Sequence, residues 1–578
     1  MLASKQPKDS SRELLELPTA LPSTEPVANL MENATAPSEP PLSGRFWFRW
    51  EYVAIALVIV LIAGIRFRLR DFPLERDEGE YAYAGQLILQ GIPPYELAYN
   101  MKLPGTYAAY AGIMAIFGQT VAGIHYGVIL INVASILLVF VITKELFDPT
   151  AALVAGATFG LFTIRPMLLG LAGHATHFVA LAALASLYLL LKACGTNRVW
   201  LFFWSGIGAG LAVLMKQPGV FFGIFAGLYI CWSEWPRKGE GRAFRRKLLS
   251  FSVGAVLPYV ATCLILLKAG VFQKFWFWTV SYARAYGAEI KPFDGTRWDG
   301  LHQLANRMEL QKEHIAWIWF LIAFGMAAFL WDRPKRPKAL FVTGLLAFSF
   351  LAVSVGFYYR GHYFIMTYPA LAILAGVGTS SLSALAKRFR LPAAIAAAPI
   401  VIYFLVFANA VHAERKVFFL DTPREACRDV YGGNPFPEAI GVADYIREHS
   451  TADSRVAVLG SEPEIYFYAH RHSATGYIYT YPLVEEQRFG SVMQDEMIRE
   501  IDSIRPEYFV YVLMHESWNT REHADTRILD WTEAYIKEHY ELVGIADGGN
   551  HDVYRWGAGA ANYRPRKLEF VMVFQRKN

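Results

Sequence analysis

The sequence predicts a polytopic α-helical membrane protein that ends in an α/β domain outside the membrane. Apolar runs long enough to cross a bilayer recur between residues 51 and 413, whereas residues 414–578 have the mixed composition of a soluble domain. Over the whole chain, 54% of the residues are hydrophobic and 18% are charged. The length alone would suggest about three or four soluble domains, and this composition excludes that organisation.

Eleven apolar segments have the length and hydropathy of spans, and 105–118 is too short and Gly-rich to be counted with them. We interpret 105–118 as a juxtamembrane or re-entrant helix. The predicted spans lie near 51–67, 121–143, 149–168, 175–191, 198–215, 218–234, 247–268, 314–331, 337–357, 363–384 and 391–413.

Basic loops indicate the orientation of these spans. Eleven spans with a cytoplasmic N-terminus place the basic loops 235–246, 332–336 and 385–390 in the cytoplasm, as the positive-inside rule requires. The first of these loops contains Arg237, Lys238, Arg242, Arg245 and Arg246. The outer face then carries 68–120, 169–174, 269–313, 358–362 and 414–578.

Three domains follow from these patterns. Residues 1–44 are rich in Pro, Ser, Glu and Ala and are predicted to be a disordered cytoplasmic tail. Residues 45–413 form the predicted transmembrane domain, with 68–120 as its first outer loop. Residues 414–578 form the predicted extracytoplasmic domain, in a chain that resides in the cytoplasmic (inner) membrane.

The C-terminal residues show strands that alternate with helices, which favours a parallel sheet. Strands are predicted at Arg455–Gly460, Tyr508–Leu513 and Leu542–Ala546, and helices near 437–449, 491–504 and 526–540. No GxGxxG or GxxxxGK[ST] motif accompanies them, so nucleotide binding is not indicated.

The net charge of +5 is a signal of membrane topology, because no basic stripe with interleaved aromatic residues indicates nucleic-acid binding. The four cysteines form neither a CxxC motif nor a Cys/His cluster, so no disulfide framework or zinc site is predicted.

An acidic cluster opens the first outer loop. In the stretch RDEGEYAYAGQLILQ, Asp77, Glu78 and Glu80 begin a segment whose apolar residues, including Tyr81, follow helical spacing. We predict an amphipathic surface helix with its carboxylates near the start. Solvated surface charge is the alternative interpretation. A carboxylate in this position can take a proton from an incoming hydroxyl group, so the cluster is a candidate catalytic group.

Basic side chains border apolar segments on the same predicted face. Lysine and arginine can hold a lipid-linked phosphate, and arginine offers paired donors for it. A lysine that merely extends its amine toward water is the alternative for Lys102. The predicted phosphate-binding residues are Lys102, Lys216, Arg360 and His362.

Other outer-face residues are candidates for substrate contacts. His174 and His177 share one helix face, but two histidines without a nearby carboxylate do not define a metal site. Glu462 and Glu464 follow the carboxyl end of a predicted strand, where ligands usually bind, although a helix cap is the alternative. The full set is Glu80, Tyr81, His174, His177, Tyr282, Arg284, Tyr363, Glu462 and Glu464.

The first outer loop resembles that of the lipid-dependent glycosyltransferases of the GT-C superfamily. The matching features are Asp77-Glu78, Gly91-Ile92-Pro93-Pro94-Tyr95, Lys102-Leu103-Pro104 and Phe117-Gly118. Segments Gly206–Gly219 and His362–Gly376 are also similar. Within the superfamily, the chain most resembles glycosyltransferase family 39, with its protein O-mannosyltransferases and lipid A aminoarabinose transferases.

The resemblance implies a GT-C fold and a set of roles. Asp77 would be the catalytic base or the main carboxylate that orients the acceptor, and Glu78 would support it by orienting substrate or a metal. Lys102, Lys216 and Arg360 would neutralise a polyprenyl phosphate. The partners implied are a polyprenyl-phosphate sugar and a lipid, glycan or protein acceptor. His177 stands where many relatives carry an acidic residue, so a family-type metal site is in question; a divalent cation, Mg²⁺ or Mn²⁺, is left open.

The predicted function is inverting transfer of a sugar from a polyprenyl-phosphate donor to a hydroxyl acceptor. A ligase that moves a whole lipid-linked glycan is the alternative within enzymes. A transporter or flippase would place charges at mid-bilayer and often shows inverted repeats, neither of which is visible. A membrane-anchored binding protein would leave Asp77, Lys102 and Lys216 unexplained.

Overall fold

The computed structural model of the protein describes residues 50–236, 241–287, 299–310, 314–521, 523–548, 553–566 and 569–577. The predicted tail at 1–44 and the loop residues Arg237 and Lys238 lie outside the described residues. The described residues belong to one compact unit that begins at Trp50.

The first part of this unit is helical, with 16 α-helices before residue 414 in the described ranges. They are α1 Trp50–Arg68, α2 Arg76–Leu89, α3 Gly105–Phe117, α4 Val121–Leu146, α5 Pro149–Ile164, α6 Ala175–Thr196, α7 Val199–Met215, α8 Val220–Ser233, α9 Gly241–Lys268, α10 Phe272–Trp276, α11 Ala283–Gly287, α12 Asp299–Leu310, α13 Ala316–Ala328, α14 Ala339–Ser354, α15 Tyr368–Arg388 and α16 Ala393–Ala413. Short 3₁₀ or π turns lie at Pro166–Leu168, Gln217–Gly219, Phe277–Tyr282, Arg336–Lys338, Val355–Phe357, Gly361–Met366 and Lys416–Leu420.

Each predicted span coincides with a helix. Seven helical stretches are long and apolar enough to cross a membrane, and they include α1, α4, α6, α9, α15 and α16. Five further apolar helices are shorter, and α3 is one of them. The chain is therefore a multi-pass membrane protein, as predicted, while the count of eleven spans and their orientation stay predictions.

Local sequence signals set the ends of several helices. Asp148 caps α5 by accepting a hydrogen bond from the Ala151 amide, and Pro149 occupies the first helical turn. Glu75 caps α2 in the same way by accepting from the Glu78 amide. Burial raises the pKa of Glu75 to about 7. The predicted helix of the first outer loop is thus present, with Asp77 in its first turn. The prediction that it lies on the surface is wrong, because residues 78–87 are all buried.

The C-terminal part is a six-stranded mixed sheet flanked by helices. The strands are β1 Arg455–Leu459, β2 His472–Ser473, β3 Tyr508–Leu513, β4 Tyr540–Asp547, β5 Val553–Trp556 and β6 Phe570–Arg576. The helices are α17 Pro423–Tyr431, α18 Phe436–Glu448, α19 Glu464–Ala469, α20 Tyr481–Val484, α21 Gly490–Ile504, α22 His515–Trp518, α23 Arg527–His539 and α24 Ala558–Ala561.

The prediction of a parallel sheet is wrong for three of the five strand pairings. Its order is β2-β1-β3-β6-β4-β5, and only β1 pairs in parallel, with β2 and with β3. β6 pairs antiparallel with both β3 and β4, and β4 pairs antiparallel with β5. Only residues 548–552 join β4 to its neighbour β5, which is too short for the crossover that parallel neighbours require.

Helix α2 lies between the membrane helices and the C-terminal sheet. Tyr81 and Tyr83 belong to one buried cluster with Val456 of β1. A Cβ on Gly79 would lie 2.6 Å from the backbone nitrogen of Glu464, so this contact requires glycine. The position of the acidic helix therefore depends on both parts of the chain.

Candidate functional site

One cavity of about 810 Å³ opens where the first outer loop, the membrane helices and the C-terminal part meet. Its walls are both aromatic and charged, which is typical of a site for a ligand with polar and apolar parts. The charged residues that line it are Glu75, Arg76, Asp77, Lys102, Lys216, Arg307, Arg360, Glu485 and Glu516.

Asp77 projects into this cavity from the first turn of α2. Its Oδ1 accepts hydrogen bonds from Lys102 Nζ at 2.7 Å and from the Tyr479 hydroxyl at 3.0 Å. Its Oδ2 lies 3.8 Å from His174 and 3.9 Å from His362. Burial opposes ionisation, but Lys102 and the two histidines hold the pKa of Asp77 well below its usual value. The group is therefore a carboxylate with one oxygen held and one oxygen open.

Lys102 is clamped between two carboxylates. Besides Asp77, it donates to Glu80 Oε2 at 2.5 Å, and the Tyr107 hydroxyl donates to the other Glu80 oxygen. Burial acts against its charge, yet Asp77 and Glu80 raise the pKa of Lys102 above the ordinary value. This pairing orients Asp77, and it leaves less of the Lys102 charge for a ligand.

Lys216 and Arg360 have no carboxylate within 4.0 Å among the described residues, although both line the cavity. The Lys216 ammonium lies 3.8 Å from the centroid of the Tyr363 ring, and Arg360 lies 5.6 Å from that of Tyr358. Burial lowers the pKa of Lys216, and the neighbouring Lys102 and Arg360 add to this effect. Unpaired cations in a partly buried cavity favour an anionic ligand.

Glu78 is fully buried and is not part of the cavity lining. Its Oε1 accepts a hydrogen bond from the Gly173 amide at 2.5 Å and lies 3.2 Å from His125 Nε2. Burial by itself would raise the pKa of Glu78, but His125 and the Gly173 amide outweigh it and lower the pKa below its usual value. Glu78 thus anchors the loop that leads to His174. It does not line the cavity, so it is not placed to orient a substrate there as predicted.

Arg66 anchors the same loop from α1. Its guanidinium donates to the carbonyls of Thr163, Gly170 and Leu171 at 2.8, 2.8 and 3.1 Å. The arginines after the first span oppose the positive-inside rule, and these bonds give Arg66 a local reason to be there. Arg68 likewise donates to the carbonyl of Asp421 at 2.6 Å.

Replacing Arg66 by Gln is expected to destabilise the protein, because it leaves buried carbonyls without donors at about 1–3 kcal/mol each. A thermal denaturation assay in detergent should show a clearly lower Tm. Arg70→Gln, at the exposed end of the same segment, is the matched control and should leave Tm nearly unchanged. Equal Tm values for the two variants would remove the anchoring role of Arg66.

Three residues at the cavity could hold a metal ion. One ligand atom each from Asp77, His174 and His362 lies within 4.8 Å of the others. The imidazoles stack with centroids 3.9 Å apart, and both nitrogens of His174 lack a hydrogen-bond partner among the described residues. Two nitrogens and one carboxylate suit Mn²⁺ or Zn²⁺ better than Mg²⁺. A proton is the alternative: burial lowers the pKa of His174, but Glu75 and Asp77 raise it above its usual value.

The other predicted residues divide into two groups. Tyr282 and Tyr363 line the cavity, and the Tyr282 hydroxyl donates to Glu485 at 2.5 Å. Outside the lining, Glu80 and Tyr81 are buried beside Lys102, His177 Nε2 lies 3.1 Å from the Gly170 carbonyl oxygen, and the side chain of Arg284 is exposed.

Glu462 and Glu464 are also buried away from the cavity. Glu462 accepts from Arg76 at 2.9 Å and from the Ser517 hydroxyl at 2.6 Å. Both carboxyl oxygens of Glu464 lack a hydrogen-bond partner in the described part of the chain, and burial with Glu462 nearby raises the pKa of Glu464 well above its usual value. Glu464 is the first residue of α19, as the helix-start alternative expects.

Sequence reasoning missed several residues of the site. Glu75 and Arg76 directly precede Asp77 and Glu78, so sequence reasoning could have included them. Tyr479, Tyr481 and Glu516 come from the C-terminal part, each more than 400 positions after Asp77 in the sequence, and no motif marks them. Only the approach of the two parts of the chain reveals their place.

Comparisons with known proteins agree with this architecture. The family model described as dolichyl-phosphate-mannose-protein mannosyltransferase matches residues 102–266. The lipopolysaccharide core galacturonosyltransferase RgtB of Rhizobium johnstonii is 25% identical over 341 residues, which is 52% of this chain and 65% of that relative.

Solved structures resemble the whole described chain. ArnT of Cupriavidus metallidurans, solved with undecaprenyl phosphate, matches with a TM-score of 0.55 at 16% identity, over 91% of this chain and 98% of its own. The Archaeoglobus fulgidus oligosaccharyltransferase AglB was solved with an inhibitory peptide and a dolichol-phosphate. It matches with a TM-score of 0.50 at 14% identity, over 90% of this chain and 76% of its own.

These findings show that the chain resembles membrane glycosyltransferases of the GT-C superfamily, in sequence over part of its length and in fold over most of it. The predicted resemblance to this superfamily and the predicted fold class are thereby confirmed. The narrower placement in family 39, the domain boundaries and the roles of individual residues stay predictions.

Proposed function

We propose that the protein transfers a sugar from a polyprenyl-phosphate donor to a hydroxyl group of an acceptor, with inversion at the anomeric carbon. The observation that carries this proposal is the pairing, in one cavity, of an ionised carboxylate with two unpaired cations. Asp77 can take the proton of the acceptor hydroxyl, while Lys216 and Arg360 can neutralise the phosphate that leaves.

The reaction needs only one base if the acceptor oxygen displaces the phosphate directly. The oxygen–carbon bond to the acceptor then forms as the bond between the anomeric carbon and the phosphate oxygen breaks, and the polyprenyl phosphate leaves with its charge held by the cations. Hydrolysis of a glycosidic bond would instead require two carboxylates, one on each side of that bond. Lys102 orients Asp77 through its hydrogen bond and adds positive charge near the phosphate.

The proposed location is the outer face of the cytoplasmic membrane, with the cavity and residues 414–578 outside the cytoplasm. Nucleotide sugars are not supplied there, so a donor anchored by a polyprenyl chain is a chemically sensible source of sugar. The basic loops at the opposite ends of the spans support this orientation. The related structures, solved with undecaprenyl phosphate and dolichol-phosphate, support the class of donor.

The proposal is tested by supplying purified protein in vesicles with a panel of labelled polyprenyl-phosphate hexoses, pentoses and uronic acids. Extracted membrane lipids, lipopolysaccharide and proteins serve as acceptors, each with Mn²⁺ or with a chelator. One donor is expected to label one acceptor class. Absence of transfer from every donor, while a polyprenyl-diphosphate oligosaccharide is consumed, would replace the proposal by its alternative.

That alternative is a ligase for a whole lipid-linked glycan. The likeness of the fold to an oligosaccharyltransferase favours it. The two readings differ in the leaving group, because a ligase releases a diphosphate whose second phosphate adds charge. Arg307 also lines the cavity without a carboxylate partner among the described residues, so the cavity charge agrees with either leaving group and the donor panel distinguishes the two.

A further inference from the structure

A tyrosine of the C-terminal part reaches the carboxylate that we assign as the base. The Tyr479 hydroxyl donates to Asp77 Oδ1 at 3.0 Å, and the same oxygen accepts from Lys102 at 2.7 Å. The Tyr479 ring is buried and lies 5.2 Å from the Lys102 ammonium. Oδ1 is thus held by two donors from different parts of the chain.

The other oxygen of Asp77 has a different environment. The nearest basic groups to Oδ2 are the imidazoles of His174 and His362, at 3.8 and 3.9 Å, which is beyond hydrogen-bond distance. Two donors on Oδ1 fix the plane of the carboxylate, and this directs the free lone pairs of Oδ2 in one direction. Such orientation reduces the entropy that must be lost when Asp77 takes the proton from the acceptor hydroxyl.

We propose that Tyr479 is a positioning residue for Asp77, so that the C-terminal part completes the active site instead of only covering it. The inference rests on the proposed function of Asp77 as base. Tyr479 itself does not exchange a proton with substrate: its hydroxyl acts only through the hydrogen bond to Asp77.

The segment that carries Tyr479 is joined to the first outer loop. The Tyr99 amide donates to the Gly476 carbonyl at 2.6 Å. Glu500 accepts from the Tyr99 hydroxyl at 3.0 Å and from the Gly476 amide at 3.0 Å. A Cβ on Gly476 would lie 2.1 Å from the Tyr99 ring, so the ring can pack against this backbone only because the residue is glycine. Docking of this segment and the orientation of Asp77 are therefore coupled.

The same segment provides a matched control. Tyr477 is buried, and its hydroxyl donates to the Glu496 carboxylate at 2.7 Å. It stands two residues before Tyr479 and is not part of the cavity lining. Replacing either tyrosine by Phe removes one hydroxyl and one hydrogen bond to a carboxylate, but only Tyr479→Phe removes a bond to Asp77.

The experiment measures steady-state transfer with purified protein in vesicles. We expect Tyr479→Phe to lower kcat about ten- to hundredfold, with the donor KM and the Tm close to those of the wild type. Tyr477→Phe should keep kcat within about twofold. In the Asp77→Asn background, Tyr479→Phe should cause no further loss, because its effect runs through the Asp77 carboxylate.

Three results separate the possible failures. An unchanged kcat in Tyr479→Phe would overturn the positioning role while the proposed function stands. Equal losses of kcat in both Phe variants, or a further loss in the Asp77→Asn background, would show a general packing effect and would also overturn it. A wild-type protein that transfers no sugar from any donor would instead refute the proposed function, and the inference with it.

Discussion

Asp77→Asn is expected to reduce sugar transfer by about 10²–10⁴-fold, which is the usual loss when a general base is removed. The amide oxygen can still accept hydrogen bonds from Lys102 and Tyr479, so the site should keep its shape. An amide cannot take a proton from the acceptor hydroxyl at neutral pH. The measurement is the single-turnover rate of transfer at saturating donor, together with Tm to show that the variant is folded.

The matched control for this prediction is Asp71→Asn. Asp71 precedes α2 in the same outer loop, and its side chain is exposed to solvent beside Arg70. The same chemical change there should leave the rate within about twofold of wild type. A folded Asp77→Asn protein with near-normal turnover would rule out Asp77 as the base.

Removing the two unpaired cations is expected to weaken donor binding strongly. Lys216→Met and Arg360→Met should each raise the dissociation constant for the donor by about ten- to hundredfold, as expected for loss of a hydrogen bond to a charged group. Affinity for the acceptor should change much less, because the phosphate belongs to the donor. Binding of a labelled donor to the protein in vesicles measures the effect directly.

The control variant is Lys268→Met. Lys268 ends α9 on the predicted outer side and is exposed, so it presents the same charge to the same membrane face outside the cavity. Its donor affinity should equal that of the wild type at physiological ionic strength. If the control loses as much affinity as Lys216→Met, the cations act through the general surface potential and not through a defined phosphate site.

The membrane part could be predicted well because its signal is one-dimensional. A long apolar run has few alternatives to a membrane helix, since every backbone polar group in the bilayer must be satisfied within the segment. The acidic helix was also predictable, because Tyr81 and its apolar neighbours follow a helical period behind three carboxylates, but its burial under the C-terminal part was not. Topology then brought Lys102, Lys216 and Arg360 to the side of the membrane where Asp77 lies.

The rest depended on contacts between distant parts of the chain. The sheet became mixed because β6 enters between β3 and β4, and strand order is not encoded in the alternation of strands and helices. Glu462 follows a strand as expected, yet its carboxylate binds Arg76 instead of a ligand. Tyr479 looks like any other aromatic residue until the C-terminal part is packed on α2.

The central claim is that this cavity couples loss of a polyprenyl phosphate to glycosylation of a hydroxyl group. The most direct measurement follows both products in one reaction, with a donor labelled in the sugar and in the lipid phosphate. The account predicts one free polyprenyl phosphate for each sugar attached to the acceptor, with the anomeric configuration inverted. Release of polyprenyl phosphate and free sugar without any glycosylated acceptor, or transfer with retained configuration, would contradict it.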